Sequence, residues 1–338
     1  MMAQGRNRRK GVFARKSRTQ WALIAALALV LGYGVHFLWG WYGPGPLARQ
    51  TSFIVSEGAG MVSVSQELEA EGAVASASTF RARARLLGHA GGLKAGEFIL
   101  PPHVSGAQIL AILQGREGVM LRLFTVPEGM PSVLVHEKLM AQPLLTGPAP
   151  MPAEGTILPN SYYYQRGEPR AAVIARMQKA MQTTLADLWA KRSPRTVAKT
   201  PAEAIILASI VEKETGKPSE RRMVAGLYSN RLKQGMKLQA DPTIIYPITQ
   251  GRPIGRRIRE SEIHAVNGYN TYSMVGLPKG PITNPGRDSI AAVLNPADTK
   301  ALYMVADGTG GHVFADTLDQ HNANVAKWFA LRRARGEM

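Results

Sequence analysis

Three carboxylates crowd the end of an apolar run in the stretch LASIVEKETGKPSER, residues 207–221. They are Glu212, Glu214 and Glu220. A carboxyl group held beside aliphatic side chains is poorly hydrated, so its pKa rises above the reference value of about 4.3. Such a group stays protonated near neutral pH and can give its proton to a departing oxygen. The stretch therefore predicts general acid chemistry by one of these residues.

Helical geometry separates Glu214 from Glu212. In a helix, the residues three, four and seven positions earlier share a residue's face. For Glu214 these residues are Val211, Ile210 and Leu207. For Glu212 they are Ser209, Ala208 and Ile205. Glu214 therefore lies at the end of the apolar stripe and is the predicted general acid, whereas Glu212 is expected to be a solvated or supporting acid.

Glu220 follows Ser219 and opens the next helical segment, ERRMVAGLYSNRLKQ. An acid in the first turn of a helix commonly interacts with the helix dipole and the free backbone amides. A second interpretation is that Glu220 supports the site. The sequence leaves both interpretations open.

Other catalytic chemistries lack their residues. The chain has no cysteine, which excludes disulfides, thiolate metal sites and a cysteine nucleophile. His136-Glu137 lacks the second histidine of an HExxH zinc motif, and neither GxSxG nor GxxxxGK[ST] occurs. The seven histidines are scattered along the chain. We therefore expect neither a metal nor a cofactor.

The elements of the second half must position the three acids. The helix that carries Glu212 and Glu214 is predicted to begin at Pro201 and to end near Gly216 and Pro218. After the next helix, MKLQADPTIIYPI is expected to turn at Asp241-Pro242 into a strand. The stretch ALYMVADGTGGHVFADT predicts a hairpin with a Gly-rich turn, and NANVAKWFALRRARG predicts a closing helix.

An irregular loop, YNTYSMVGLPKGPITNPG, precedes the hairpin and carries Tyr269, Asn270 and Tyr272. Tyrosine rings can cover the apolar faces of sugars, and amides can pair with hydroxyl and N-acetyl groups. Composition alone favours a structural role for such a loop. Sugar binding is therefore the second interpretation of these side chains.

A smaller unit comes earlier in the chain. TSFIV, GEFIL and VMLRLFTV predict strands, while VSVSQELEAEG, TFRARARLLG and VSGAQILAILQG predict helices. This unit holds no candidate catalytic cluster, which suggests a binding or positioning module. The stretch RAAVIARMQKAMQTTLADLWAKR, further on, predicts a long helix.

The segment from Trp21 to Tyr42 contains no Asp, Glu, Lys or Arg. As a helix it would extend roughly 33 Å, enough for a hydrocarbon core of about 30 Å. Aromatic residues at both ends suit the membrane interfaces. It predicts a membrane span, with a cleaved signal peptide as the alternative.

The net charge of +17 is concentrated at the N-terminus. Seven basic residues and no acid lie within the first twenty positions, which leaves +10 for the rest of the chain. By the positive-inside rule this cluster places the N-terminus in the cytoplasm and everything after Tyr42 across the membrane. Nucleic-acid binding is therefore not expected.

Several separated motifs in fixed order carry a family resemblance from about Thr51 onward. They are LKAGEF, EGTILP, LASIVEKET, SER, VAGLYSNRLKQGMKLQADPTIIY, YNTY, GLPKGPITNPG, LYMVADGTGGHVF and HN. In these motifs the chain resembles the endolytic murein transglycosylases (the MltG or YceG-like family). The essential acid of that family is the second Glu of EKET, which corresponds to Glu214.

The resemblance implies non-hydrolytic cleavage of the β-1,4 bond between N-acetylmuramic acid and N-acetylglucosamine inside glycan strands. Glu214 would protonate the bridging oxygen and then take the proton of the muramyl 6-hydroxyl as a 1,6-anhydro ring closes. No second, water-activating carboxylate is required, unlike in paired-acid glycosidases. The resemblance also implies peptidoglycan as substrate and action near peptidoglycan synthases.

The resemblance implies a cleft shaped by family motif positions and supported by Glu220. These positions are Gln239, Asp241, Tyr269, Asn270 and Tyr272. One departure is PNSY at residues 159–162, where the family often has an acid in place of Asn160. It argues against a charged role at that position.

The expected fold is α+β, with a single N-terminal transmembrane helix, a small LysM-like α+β module and a mixed α/β catalytic domain. The expected boundaries are a basic cytoplasmic tail over 1–20, the span over 21–42, a linker over 43–50, the module over 51–126 and the YceG-like catalytic domain over 127–338. The expected location is the cell inner membrane, with the catalytic domain on the periplasmic or extracytoplasmic side. The alternative function is a membrane-anchored, non-catalytic peptidoglycan-binding or scaffold protein.

Overall fold

The computed structural model describes residues 18–56, 58–88, 92–115, 120 and 122–337. All of the N-terminal basic cluster except Arg18 lies outside the described residues. The chain divides into two compact units, residues 1–120 and 121–338. Each unit has its own hydrophobic core.

The first unit opens with helix α1 (Arg18–Tyr42), which is long and apolar enough to cross a membrane. Strands β1 (Thr51–Val55) and β2 (Gly96–Leu100) then form an antiparallel pair, with Phe53 opposite Phe98. Helices α2 (Met61–Ala70) and α3 (Ala77–Leu87) lie between the strands in sequence, and α4 (Gly106–Gln114) follows them. The unit thus has β-α-α-β order, and its LysM-like identity stays a prediction.

The end of α1 belongs to the core of the first unit. Trp41 is only 2% exposed and packs at 5.6 Å, centroid to centroid, from the ring of Phe80. The Arg83 guanidinium donates to the carbonyl of Gly40 at 2.8 Å and lies over the ring of Phe37. Gly40 leaves room for this approach, since a Cβ there would collide with the guanidinium. The end of α1 is therefore packed against the rest of the first unit.

The second unit begins with strand β3 (Arg122–Val126), which pairs antiparallel with β4 (Asn160–Tyr164). Helices α5 (Ser132–Met140) and α6 (Arg170–Ala190) share a core with this pair. The division between the two units, at 120/121, lies before the module boundary expected at 126, and the expected domains stay a prediction. The stretch VMLRLFTV supplies a strand, but its partner comes later in the chain.

Helix α7 (Pro201–Glu214) forms the centre of the main core. Thr200 caps its first turn by accepting from the Glu203 amide at 3.1 Å. It packs against α8 (Arg221–Lys233), which follows a short 3-10 helix over Pro218–Glu220, and against α11 (Arg287–Leu294). Seven buried residues between Ala204 and Val211, about two turns, fix the helix, so its last residue has a defined position.

The remaining elements of the second unit include one helix, α9 (Pro242–Thr249), that contacts α7. The others are α10 (Glu260–Ile263), the antiparallel pair β5 (Tyr303–Ala306) and β6 (His312–Ala315), and α12 (Leu318–Ala334). The hairpin and the closing helix agree with expectation. The strand predicted after Asp241 is wrong, because Pro242 occupies the first position of a helix and supplies its preset φ.

Candidate active site

A groove of about 360 Å³ opens beside the end of α7. Its floor and walls come from α7, α8, the segment before α9, the YNTY loop, the β5–β6 hairpin and α12. Its polar lining residues are Glu214, Tyr228, Arg231, Gln239, Asp241, Tyr272, His312 and His321. Segments separated by more than a hundred residues therefore meet around one carboxyl group.

Glu214 is the last residue of α7 and faces this groove. The residue as a whole is half-buried because it borders the opening, but its Oε1 atom is fully buried and has no hydrogen-bond partner among the described residues. The pKa of Glu214 is raised to about 7, chiefly by burial and in part by the charge of Asp241. The Tyr228 hydroxyl and the charge of Arg231 act in the opposite direction. Glu214 can thus donate a proton at neutral pH.

Tyr228 and Arg231 lie one helical turn apart on α8 and form the base of the groove. Tyr228 is 2% exposed, and burial holds the pKa of its phenol well above the ordinary value. The Arg231 guanidinium is tied by backbone carbonyls, with Nε 2.6 Å from the Leu302 oxygen and Nη1 3.0 Å from the Leu238 oxygen. These bonds fix a positive charge beneath Glu214.

Gln239, Asp241 and Tyr272 line the same groove as Glu214. Gln239 has a φ of 54°, in the left-handed region that non-glycine residues rarely adopt, and its Oε1 accepts from Arg231 at 3.2 Å. The Tyr272 hydroxyl donates to Asp241 Oδ1 at 2.6 Å. The three predicted cleft residues therefore form part of one hydrogen-bonded wall.

Tyr269 and Asn270 lie behind that wall and do not line the groove. Tyr269 packs on Tyr246 with a centroid distance of 4.9 Å, and the Lys279 ammonium lies 5.0 Å from its ring. Asn270 is fully buried, and its amide donates to three carbonyls, those of Glu262, Ile263 and Ala265. Asn270 thus holds the loop that presents Tyr272.

Glu212 lies on a different side of α7 from the groove. Its side chain is only 6% exposed, so the expectation of a solvated acid is wrong, while that of a supporting acid agrees with its contacts. Its Oε2 accepts from the Gly286 amide at 2.9 Å, and Arg221 lies 3.7 Å from Oε1. Its carboxyl is tied to backbone and cation, whereas that of Glu214 is open to the groove.

Glu220 connects the end of α7 to the β5–β6 hairpin. Its carboxylate accepts from the Thr215 hydroxyl at 3.1 Å and from the backbone amide and ring of His312 at 3.1 and 2.9 Å. It makes no side-chain capping bond to α8. Its hydrogen bonds thus go to Thr215 and His312, and support of the site by Glu220 stays a prediction.

Residues that sequence reasoning missed are Tyr228, Arg231, His312 and His321. The Tyr-Ser-Asn-Arg spacing does place Tyr228 and Arg231 on one face of a helix, but nothing in it points that face at Glu214. The His321 Nδ1 atom is buried without a described partner, and its ring stacks on Tyr303 at 5.2 Å. Within the described ranges no cluster of three or more His, Asp or Glu could hold a metal ion.

Comparison with known proteins finds curated relatives that share one name. Endolytic murein transglycosylase of Streptococcus pneumoniae D39 is 33% identical over 180 residues, which is 52% of this chain and 32% of that protein. The Bacillus subtilis 168 protein of the same name is 30% identical over 182 residues, 54% of this chain and 49% of that protein. The chain therefore matches about a third to a half of the length of these relatives.

A crystal structure described as that of a YceG-like protein from Listeria monocytogenes shares the fold. It superposes with a TM-score of 0.51 at 24% identity and covers 81% of this chain and 98% of that one. The sequence model of the YceG-like family matches residues 53–327, which include part of β1, all of β2 and the whole groove. The chain belongs to the YceG-like family.

Proposed function

We propose that the chain is an endolytic lytic transglycosylase, a lyase that cuts the β-1,4 bond between N-acetylmuramic acid and N-acetylglucosamine inside peptidoglycan strands. The new ends would be 1,6-anhydromuramyl groups. The observation that carries the proposal is one carboxyl, that of Glu214, with a pKa of about 7 at the edge of an open groove. Family membership and the names of the curated relatives support it.

The proposed reaction needs one carboxyl acting twice. Protonated Glu214 gives its proton to the bridging oxygen as the bond from that oxygen to muramyl C1 breaks. Positive charge develops at C1, and the negative charge of Asp241 in the same groove favours it. The muramyl 6-hydroxyl oxygen then bonds to C1, and its proton returns to Glu214. The net reaction consumes no water.

Membrane attachment through α1 is part of the proposal. A cleaved signal peptide would remove most of α1, yet Trp41 is a core residue of the first unit. Retention of the helix as an anchor fits this packing better. We propose a cytoplasmic N-terminus, with both units on the outer side of the cytoplasmic membrane, where peptidoglycan lies.

The test uses the full chain in detergent with purified glycan strands and mass analysis of the released ends. Anhydromuramyl ends from the wild type, and at least a 100-fold lower yield from Glu214→Gln, are expected because the variant has no proton to give. Glu260→Gln is the matched control, since Glu260 is exposed on α10 away from the groove. Strand binding without anhydro ends would instead favour the non-catalytic binding or scaffold protein.

A further inference from the structure

A carboxylate and an imidazole form an acid–base pair at the wall of the groove. His312, the first residue of β6, lines the groove, and its Nδ1 lies 2.9 Å from Glu220 Oε2. The backbone amide of His312 donates to the other carboxylate oxygen at 3.1 Å. Both side chains are mostly buried, at 17% and 14% exposure. The pair is therefore held in one geometry.

The partner of Nδ1 determines which ring nitrogen is free. Burial alone would raise the pKa of Glu220, but hydrogen bonds from His312 and Thr215 outweigh burial and lower it. An ionised carboxylate only accepts hydrogen bonds, so Nδ1 must carry the hydrogen. The lone pair of the neutral ring is then on Nε2, which no described residue engages. Nε2 is the atom that His312 can offer to a sugar hydroxyl.

Glu220 also ties this imidazole to the catalytic helix. Its Oε2 accepts from the hydroxyl of Thr215, the residue that directly follows Glu214. Lys217 lies 4.0 Å from the other oxygen, Oε1. Glu220 thus holds β6 against the end of α7 and fixes the imidazole relative to the Glu214 carboxyl.

We propose that His312 is the proton relay of this groove and that Glu220 is its positioning residue. The proposal rests on the transglycosylase function proposed above. As the muramyl 6-oxygen bonds to C1, its proton passes to His312 Nε2, giving an imidazolium ion beside the Glu220 carboxylate. The imidazolium then gives that proton from Nε2 to the Glu214 carboxylate. Both residues return to their starting forms.

The relay removes a geometric conflict in the single-acid reaction. Without it, one carboxyl must reach the bridging oxygen and the 6-hydroxyl oxygen of the same sugar within a single turnover. With it, Glu214 serves the bridging oxygen and His312 serves the 6-hydroxyl. A carboxylate that orients an imidazole and stabilises its charged form is an established solution for proton transfer in enzymes.

The kinetic test compares His312→Ala and His312→Gln with the wild type, all as full chains in detergent. We expect about a 100-fold slower release of anhydro ends, because a positioned base contributes about that much or more. Free imidazole should restore part of the rate of His312→Ala. Reducing ends should also increase, since water can capture C1 when the 6-hydroxyl is not activated.

Two further variants sharpen the test. His264→Gln is the matched control, because His264 is exposed and lies outside the groove, and it should behave as the wild type. Glu220→Gln should lower the ratio of anhydro ends to reducing ends, as the His312 variants do. Imidazole should not rescue it, because the ring is still present.

Each remaining outcome decides against the relay. Wild-type rate and wild-type ends from both His312 variants would overturn it, as would a slower rate with no imidazole rescue and an unchanged ratio of ends. Nitrogen-15 shifts of histidine-labelled wild type provide a readout without catalysis, and a hydrogen on Nε2 of neutral His312 would overturn the relay even if the variants fail to fold. Absence of anhydro ends from the wild type would instead refute the transglycosylase function itself.

Discussion

At the scale of single residues, the chemistry of the groove depends on how neighbouring groups shift the pKa of the Glu214 carboxyl. The pKa of Glu214 is raised to about 7, chiefly by burial, and the polar groups around it act on this pKa in opposite directions. Asp241 disfavours ionisation through its negative charge, while Tyr228 favours it through a hydrogen bond. These opposing influences can be removed one at a time.

Asp241→Asn should move the alkaline limit of activity to lower pH. As the proposed acid catalyst, Glu214 must be protonated to act, so we expect the rate to fall as pH rises through its pKa of about 7. Removing the nearby negative charge makes ionisation easier and lowers that pKa. A pH–rate profile on glycan strands checks this, and an unchanged alkaline limb would contradict it.

Tyr228→Phe should move the same limit to higher pH. The phenol hydrogen bond stabilises the ionised carboxyl, so its loss should raise the pKa of Glu214, which burial already raises. The two variants should therefore shift one profile in opposite directions. Equal shifts of the same sign would show that packing changes, and not these two interactions, control the carboxyl.

Glu214→Gln should make the protein more stable at high pH while removing its activity. The pKa of Glu214 is about 7 when folded against an ordinary value of 4.5, so protonation favours the folded state most below 4.5 and less as pH rises to about 7. Above that range the wild type carries a penalty of about 3 kcal/mol that glutamine avoids. Melting temperatures at pH 5 and pH 8 test this, and a stability gap that does not widen with pH would contradict it.

At the scale of elements, an ion cluster around Arg221 connects the helices that support the groove. Arg221 lies at the start of α8 and is 8% exposed. Its guanidinium lies 2.6 Å from Glu128, 3.7 Å from Glu212 and 3.5 Å from Asp288. The cluster thus joins α7, α8, α11 and the segment before α5.

Arg221→Met should destabilise the second unit by about 3 kcal/mol, because it leaves the buried Glu212 carboxylate without its cation. Arg222→Met, at an exposed neighbouring position, should cost less than about 1 kcal/mol. Denaturant unfolding of the two variants measures the difference. Equal losses would mean that the buried pairs around Arg221 contribute nothing specific.

Local patterns predicted elements better than the contacts between them. Pro201 and the apolar stripe specified α7 and the face of Glu214, because both depend on residues within a few turns. The helix after Asp241 was missed because β-branched residues favour a strand while Pro242 starts a helix equally well. Tyr228 and His312 could not be assigned, since their proximity to Glu214 depends on long-range packing.

At the scale of the whole molecule, the chain combines an apolar helix with two units that have separate cores. The first core includes Trp41 from the end of α1, which makes the helix part of a folded unit. The family match begins at residue 53, after this helix. Helix α1 and its core residue Trp41 therefore lie outside the residues that the family model matches.

Trp41→Ala should destabilise the first unit by about 3–5 kcal/mol, as expected for truncation of a fully buried large aromatic. Trp39→Ala is the control, because Trp39 is 68% exposed two positions earlier. Limited proteolysis of the detergent-solubilised chain should cut the first unit faster in the Trp41 variant only. Equal cutting of both variants would show that the end of α1 does not contribute to the core.

The burial of Trp41 affects what a protease would release from the membrane. If α1 spans the bilayer as proposed, a protease that trims the chain at the lipid surface removes a core side chain together with the anchor. What it releases is a damaged first unit and not an intact secreted form.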